Sequence, residues 1–355
     1  MSNQLLVINP GSTSIKIAVF LDSKSILEEK ILHPKEDLES FSAIWDQLEY
    51  RYQAVLSFLK TNNLSSKDFN AIVARGGMFK PMAGGTYKVN QAMMEDARTG
   101  PVGIHPGNLA CVIAHRLATQ AGISAYVVDP ISVDEFEPLA RYSGHPLIER
   151  RCLSHSLNLH ATGRKAAAQL NIPFEKSRFI LAHLGGGISV CPLKNGRMID
   201  VNDASSDGPF SPERTGGLPL QQFISLCYSG NYSENEMRKL VMGKGGLLAY
   251  LNTYDAKKIE DLINQGDQAT REIYEAMSYQ IAKEIGAMST VLSGKIDAIV
   301  LCGALAHSRM LTQWIINRVN FIAPIIKMPG EFEMQALTDG VLRVLSGTEE
   351  PLEYR

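Results

Sequence analysis

One short pattern occurs twice in this chain. Leu6-Val7-Ile8-Asn9-Pro10-Gly11 and Ile180-Leu181-Ala182-His183-Leu184-Gly185 each run an apolar strand into a polar residue, a spacer and a glycine, and a second strand follows each. Around the first copy, residues 5–8, 15–20 and 25–32 read as three strands joined by tight turns, an antiparallel meander. Around the second, strands over 179–184, 188–193 and 198–202 read the same way, the last two joined by the hairpin pair Asn195-Gly196. Each meander precedes helical patterns. Phe41, Ile44, Trp45, Leu48, Tyr52, Val55, Leu56 and Leu59 predict one long helix in the first half, with another over about 108–121. Ile273, Met277, Ile281, Ile285 and Met288 predict a helix over about 269–292 in the second. Buried strands are expected at 71–74, 125–128 and 296–302. A pattern repeated at this scale points to a duplicated domain, and strand meanders alternating with helices point to a mixed-sheet α/β fold. Two such domains side by side would leave a cleft, the usual place for a ligand.

Composition narrows the function. The 355 residues carry 35 basic and 37 acidic side chains, a net charge of −2, which gives no support to nucleic-acid binding or electrostatic membrane attachment. Hydrophobic residues at 45% and charged residues at 20% fit a folded globular chain. No apolar run approaches the roughly 20 residues of a membrane helix, and no secretory signal is visible at the N-terminus, so a cytoplasmic protein is expected. The five cysteines are scattered and form no CxxC, as expected of buried thiols in a reducing compartment.

The turn Asn9-Pro10-Gly11-Ser12-Thr13-Ser14 is the first candidate site. Small residues let a phosphate approach backbone N–H groups and the hydroxyls of Ser12, Thr13 and Ser14, and Lys16 on the next strand is a nearby cation. A ligand-free Ser/Gly hairpin is the equal alternative. Gly185-Gly186-Gly187 is the matching turn, and Gly303-Ala304 follows a buried strand where a nucleoside could rest on backbone. Arg75 precedes Gly76-Gly77, Arg214 lies in a turn rich in glycine and proline, and His155 stands at a helix start. Arginines in rigid turns suit bidentate capture of carboxylate or phosphate, and surface ion pairing is the plain alternative for each. Asp129 ends a strand, where it either acts in chemistry or caps the next turn. Competing signatures are missing. Gly294-Lys295 is followed by Ile296, so there is no P-loop, and no dinucleotide fingerprint, hydrolase elbow or HExxH occurs.

These segments resemble a known family. Asn9-Pro10-Gly11-Ser12-Thr13-Ser14-Ile15-Lys16 is similar to the first signature of the acetate and butyrate kinases, and Ala182-His183-Leu184-Gly185-Gly186-Gly187-Ile188-Ser189 to their second. Arg75-Gly76-Gly77, Val127-Val128-Asp129-Pro130, Gly208-Pro209-Phe210-Ser211-Pro212-Glu213-Arg214 with Thr215-Gly216, and Ala249-Tyr250-Leu251 resemble the butyrate branch, in order along nearly the whole chain. The resemblance implies two duplicated ribonuclease-H-like domains flanking a nucleotide cleft, the fold of the acetate and sugar kinases, heat-shock ATPases and actin. The implied division is 1–150 plus 335–355 against 151–334, the C-terminal helix returning to the first domain.

The resemblance also implies roles. Asn9, Ser12, Ser14 and Lys16 match phosphate-site residues. Arg75, His155 and Arg214 match the groups around the transferring phosphoryl, the match for Arg75 resting on the butyrate branch alone, because the arginine of acetate kinases lies three residues earlier, where this chain has Ile72. Asp129 matches an essential aspartate. His183, Gly185, Gly186, Gly187, Gly303 and Ala304 match the nucleotide side, Gly186 replacing an asparagine typical of acetate kinases. Asn9 and Glu333 match the metal-associated positions, with Glu331 near enough to compete. The implied reaction is transfer between ATP and the carboxylate of butyrate or a similar short or branched acid, with Mg²⁺, by a homo-oligomer of at least two chains. Ser154 stands where acetate kinases carry Phe, and Ala74 where they carry Val, both removing volume near the expected acid site. A nucleotide-operated binding protein and a sugar kinase using Asp129 as base are the alternatives. The arginines favour a carboxylate acceptor over a hydroxyl.

Overall fold

The computed structural model describes residues 2–355 and divides into two compact units, 2–134 with Phe332–Arg355, and Glu135–Glu331. In the first unit the strands Gln4–Pro10, Ser14–Leu21 and Lys24–Leu32 form the antiparallel meander. Ala71–Ala74 lies parallel to Gln4–Pro10, and Ser124–Val128 lies parallel to Ala71–Ala74. Thr86–Lys88 and Leu352–Glu353 complete a seven-stranded sheet. Side chains alternate across it. Leu6, Ile8, Ile72, Ala74 and Val127 share a core with Tyr52, Val55 and Phe58 of helix Leu48–Thr61 and with Ala110, Ala114 and Leu117 of helix Pro106–Ala121. Val128 faces the other way, against helix Glu333–Leu345 at Gly340.

The second unit repeats this order. Arg178–Leu184, Ile188–Lys194 and Arg197–Met198 are antiparallel, Ala298–Gly303 is parallel to the first of them, and Ile325–Pro329 is parallel to Ala298–Gly303. Helix Gln268–Val291 packs Met277, Ile281 and Ile285 onto Ile180, Ala182 and Val190. The expected hairpin forms at Asn195 and Gly196, whose φ angles of 55° and 78° are those of a type I′ turn.

Three expectations change. The boundaries lie at 134/135 and 331/332 rather than 150/151 and 334/335. Residues 135–150 are tied to the second unit: Glu135 Oε2 accepts from the Met198 N–H, the Glu137 N–H donates to Ile199 O, and Arg150 donates to Val201 O. The third strand of the second meander stops at Met198 instead of reaching 202. Ile199 N–H still donates to Pro192 O, but Pro192 has no N–H to return the bond, so the ladder ends. Asn202 replaces it with its side chain, accepting from Val190 N–H at 2.7 Å and donating to Ile188 O at 2.9 Å. The long first helix is split into Lys35–Glu39, a 3₁₀ turn at Ile44–Gln47, and Leu48–Thr61.

Two histidines of the first unit make its stability pH-dependent. Burial first, then Arg51, holds His33 at about 4, and burial first, then Arg75, holds His105 at about 4, both below the ordinary 6.5. The unfolded chain takes up these protons as pH falls through 6.5, and the native chain only near 4. Stability is therefore full above 6.5 and declines as pH falls through that window. The urea midpoint is expected to be lower at pH 5 than at pH 7.5. His105→Asn keeps an acceptor for the helix cap that His105 Nδ1 provides to Gly107 N–H, and should narrow the difference. An unchanged difference would remove His105 from the account.

Candidate active site

In the first unit the sheet brings Asn9, Arg75 and Glu333 together. Asn9 lies near the end of strand Gln4–Pro10, Arg75 follows the adjacent parallel strand Ala71–Ala74, and Arg75 N–H donates to Ile8 O. Glu333 opens the helix on the opposite chain end. Its Oε1 lies 2.7 Å from Arg75 Nη1, and its Oε2 accepts from Asn9 Nδ2 at 2.7 Å. Lys16 sits opposite Asn9 in the hairpin register. The turn closes with Gly11 N–H donating to Ser14 O, and leaves Ser12 and Thr13 exposed. Asp129 is buried with φ 38°, and its Oδ1 accepts from Gly85 N–H at 2.7 Å, so it caps a turn whatever else it does.

One or two carboxylates are what Mg²⁺ usually takes from a protein in phosphate chemistry, because waters and phosphate oxygens fill its other positions. Glu333 meets that requirement, and Asn9 beside it adds a neutral amide oxygen. Among the described residues no group of three or more His, Cys, Asp or Glu is placed to hold a metal.

In the second unit His155 and His183 stack, their rings 4.0 Å apart and 14° from parallel. Strand pairing places Ser189 opposite His183, and Ser189 Oγ is hydrogen-bonded to His155 Nδ1 at 2.9 Å. Asn158 Nδ2 donates to His183 Nδ1 at 2.8 Å, which leaves the proton of a neutral His183 on Nε2. Sequence reasoning missed Asn158 as an orienting group, although its place on the first turn of a helix begun by His155 was readable.

The glycine turn is filled by the protein itself. A Cβ on Gly187 would lie 2.5 Å from Arg214 Nη1, and only Gly186 of the three glycines is exposed. Gly187 thus makes room for the guanidinium, whose Nη1 donates to Ala204 O at 2.7 Å. Burial pulls Arg214 below the usual guanidinium value, with Glu213 and Asp203 opposing the shift. Gly187→Ala should push Arg214 out of place. On the role the resemblance implies for Arg214, kcat should fall roughly 10–100-fold, as misplacement near 1 Å can do. Tm should move by no more than about 4 °C, because the clash falls on a side-chain tip. Unchanged kcat would show that Arg214 needs no such seat.

Gly303 has φ 87°, and a Cβ there would come within 2.4 Å of Leu184 O, so only glycine fits. Ala304 beyond it is exposed. Ser154 is buried, and its Oγ has no hydrogen-bond partner among the described residues. Ala74 is a fully buried member of the sheet core, so it opens no space for a substrate and that part of the volume argument falls.

A family model described as the acetokinase family matches residues 145–328. Butyrate kinase 2 of Clostridium acetobutylicum is 46% identical over 356 residues, covering 100% of both chains. The chain belongs to the acetokinase family. A probable butyrate kinase 2 of Caldanaerobacter subterraneus subsp. tengcongensis is 47% identical over 99% of each chain. The crystal structure of Porphyromonas gingivalis acetate kinase covers 96% of this chain and 99% of its own, with TM-score 0.77 at 18% identity. As an acetokinase the chain is a phosphotransferase with a carboxyl group as acceptor, and its fold is that of the acetate kinase structure. Among the described residues no helix is long and apolar enough to cross a membrane.

Proposed function

We propose that this acetokinase transfers the γ-phosphoryl of ATP to the carboxylate of butyrate, reversibly and with Mg²⁺, giving butanoyl phosphate and ADP. The observation that carries this reading is full-length identity of 46–47% to two relatives named butyrate kinase 2 and probable butyrate kinase 2. A carboxylate oxygen attacks the γ-phosphorus in line, the bond to the β–γ bridging oxygen breaks, and ADP leaves. The attacking carboxylate is already ionised at neutral pH, so no general base is needed, and catalysis is positioning plus charge stabilisation. Arg75, Arg214 and His155 supply positive charge and hydrogen bonds to the phosphoryl oxygens. Ser189 aims His155, and Asp129 holds its turn against Gly85. Asn9, Ser12, Ser14 and Lys16 bind phosphate, and His183, Gly185–Gly187, Gly303 and Ala304 serve the nucleotide. Asn9 and Glu333 would hold Mg²⁺, which neutralises phosphate charge when bound. The assembly is a homo-oligomer of at least two chains, a reading supported by the exposed apolar side chains Leu139, Tyr142, Leu147 and Ile148 and tested by light scattering.

Hydroxamate trapping of acyl phosphate from ATP with acetate, propionate, butyrate, isobutyrate and glucose tests the assignment. Butyrate should give the highest kcat/KM and glucose none. A preference for another acid would reassign the substrate, and no product from any acid would overturn the reading. Ser154 carries the chain-length prediction. A small side chain before His155 leaves room that is filled at about 0.8 kcal/mol per methylene, close to fourfold each. Butyrate should thus exceed acetate by about tenfold or more in kcat/KM. Ser154→Phe should shift the ratio back toward acetate, and an unchanged ratio would place the acyl chain elsewhere.

A further inference from the structure

We propose that Arg51 is the positioning residue that sets the shape and the charge of the Gly11–Ser14 turn, and with them the affinity for the phosphates of ATP. The inference rests on the reading of that turn as a phosphate site and adds the device that makes it one.

Arg51, on helix Leu48–Thr61, is fully buried and heads the large fully buried side chains among the described residues. Its Nη1 donates to Gly11 O at 3.0 Å and Ser14 O at 3.4 Å, its Nη2 to Ser12 O at 2.8 Å, and its Nε to Gln47 Oε1 at 3.0 Å. His33 N–H donates to Thr13 O at 2.9 Å. All four carbonyls of residues 11–14 are therefore bound by the body of the unit. Among the described residues the N–H groups of Ser12 and Thr13 donate to nothing. A turn with every carbonyl tied down and free N–H groups at its exposed tip is a nest for an anion.

The charge tells the same story. No carboxylate lies within ion-pair distance of Arg51 among the described residues, and burial lowers its pKa from the usual guanidinium value. Asp37 Oδ2 accepts from the Tyr50 hydroxyl at 2.9 Å. His33 is kept neutral at pH 7 and adds no second cation. A buried cation without a counter-ion is costly to keep. An anion bound on the tip of the turn supplies the missing charge. Arginine is required over lysine because one planar fork must meet three carbonyls and the Gln47 amide at once.

Arg51→Lys keeps the charge and loses the fork. At a temperature well below its Tm, KM for ATP should rise about tenfold or more while KM for butyrate stays within about twofold, a split that general destabilisation does not give. Gln47→Met, which frees only Nε, should move KM for ATP in the same direction by less. Arg51→Lys with both KM values near wild type, or both rising together, makes the residue structural and overturns the proposal. Lys16→Met and Ser12→Pro, which removes one of the two free N–H groups, separate the two readings. If they leave KM for ATP unchanged, the turn binds no phosphate and both readings fall. If they raise it and Arg51→Lys does not, only the role of Arg51 falls.

Discussion

Arg214→Ala is expected to lower kcat by about 10²–10³ while KM for ATP changes by less than about threefold, because the proposed role puts its charge where charge is redistributed in the transition state. The side chain is well prepared for that task. It is anchored at Nη1 to Ala204 O and seated against Gly187. Its turn is held by the Ser211 N–H donating to Arg214 O, while Ser211 Oγ donates to Gly186 O at 2.6 Å. A donor fixed in this way gives up little entropy when phosphate arrives. Because the guanidinium is partly buried, removing it also relieves a desolvated charge, so the variant should fold. Steady-state kinetics with a melting curve decide the matter. A folded Arg214→Ala enzyme with near-wild-type turnover would remove Arg214 from the chemistry.

Glu333→Ala is expected to be nearly as damaging, by a different route. Glu333 holds Arg75 and Asn9 through one carboxylate, so its loss frees a cation and an amide that it fixes. Rate should fall about 10²-fold, and the Mg²⁺ concentration for half-maximal rate should rise by roughly 10–100-fold, the usual cost of losing a group that holds or orients a metal ligand. Glu331→Ala is the control. Glu331 lies in the second unit, two residues before the helix that carries Glu333. It should keep activity within about twofold. If Glu331→Ala shows the Mg²⁺ effect and Glu333→Ala does not, the assignment of the two is reversed. Titrating Mg²⁺ against rate at saturating ATP reads both variants.

Much of the fold was legible because it depends on local pattern. Apolar runs of strand length, the Asn195-Gly196 pair and the helical spacing of Ile273 to Met288 each report a short-range preference, and each element formed. The repeat was legible for the same reason: two copies of one local pattern produced two sheets of one strand order. The misreadings came where one residue changed what its neighbours allowed. Pro192 lacks the N–H that would have carried the third strand to 202, and nothing in 198–202 itself signals this.

The sequence by itself determined the strand–turn–strand units, their duplication and the residue types available for phosphoryl chemistry. Only the tertiary structure decided which of those residues meet. Asn9 and Glu333 are 324 positions apart and share a hydrogen bond because a final helix returns to the first sheet. Gly187 and Arg214 are neighbours because a turn folds over a hairpin, and Arg51 reaches Gly11 and Ser12 because Tyr52, Val55 and Phe58 hold its helix in the core of that sheet. Local preference is set by a few adjacent residues, whereas a contact across hundreds of positions exists only once burial of the whole core fixes where each element lies.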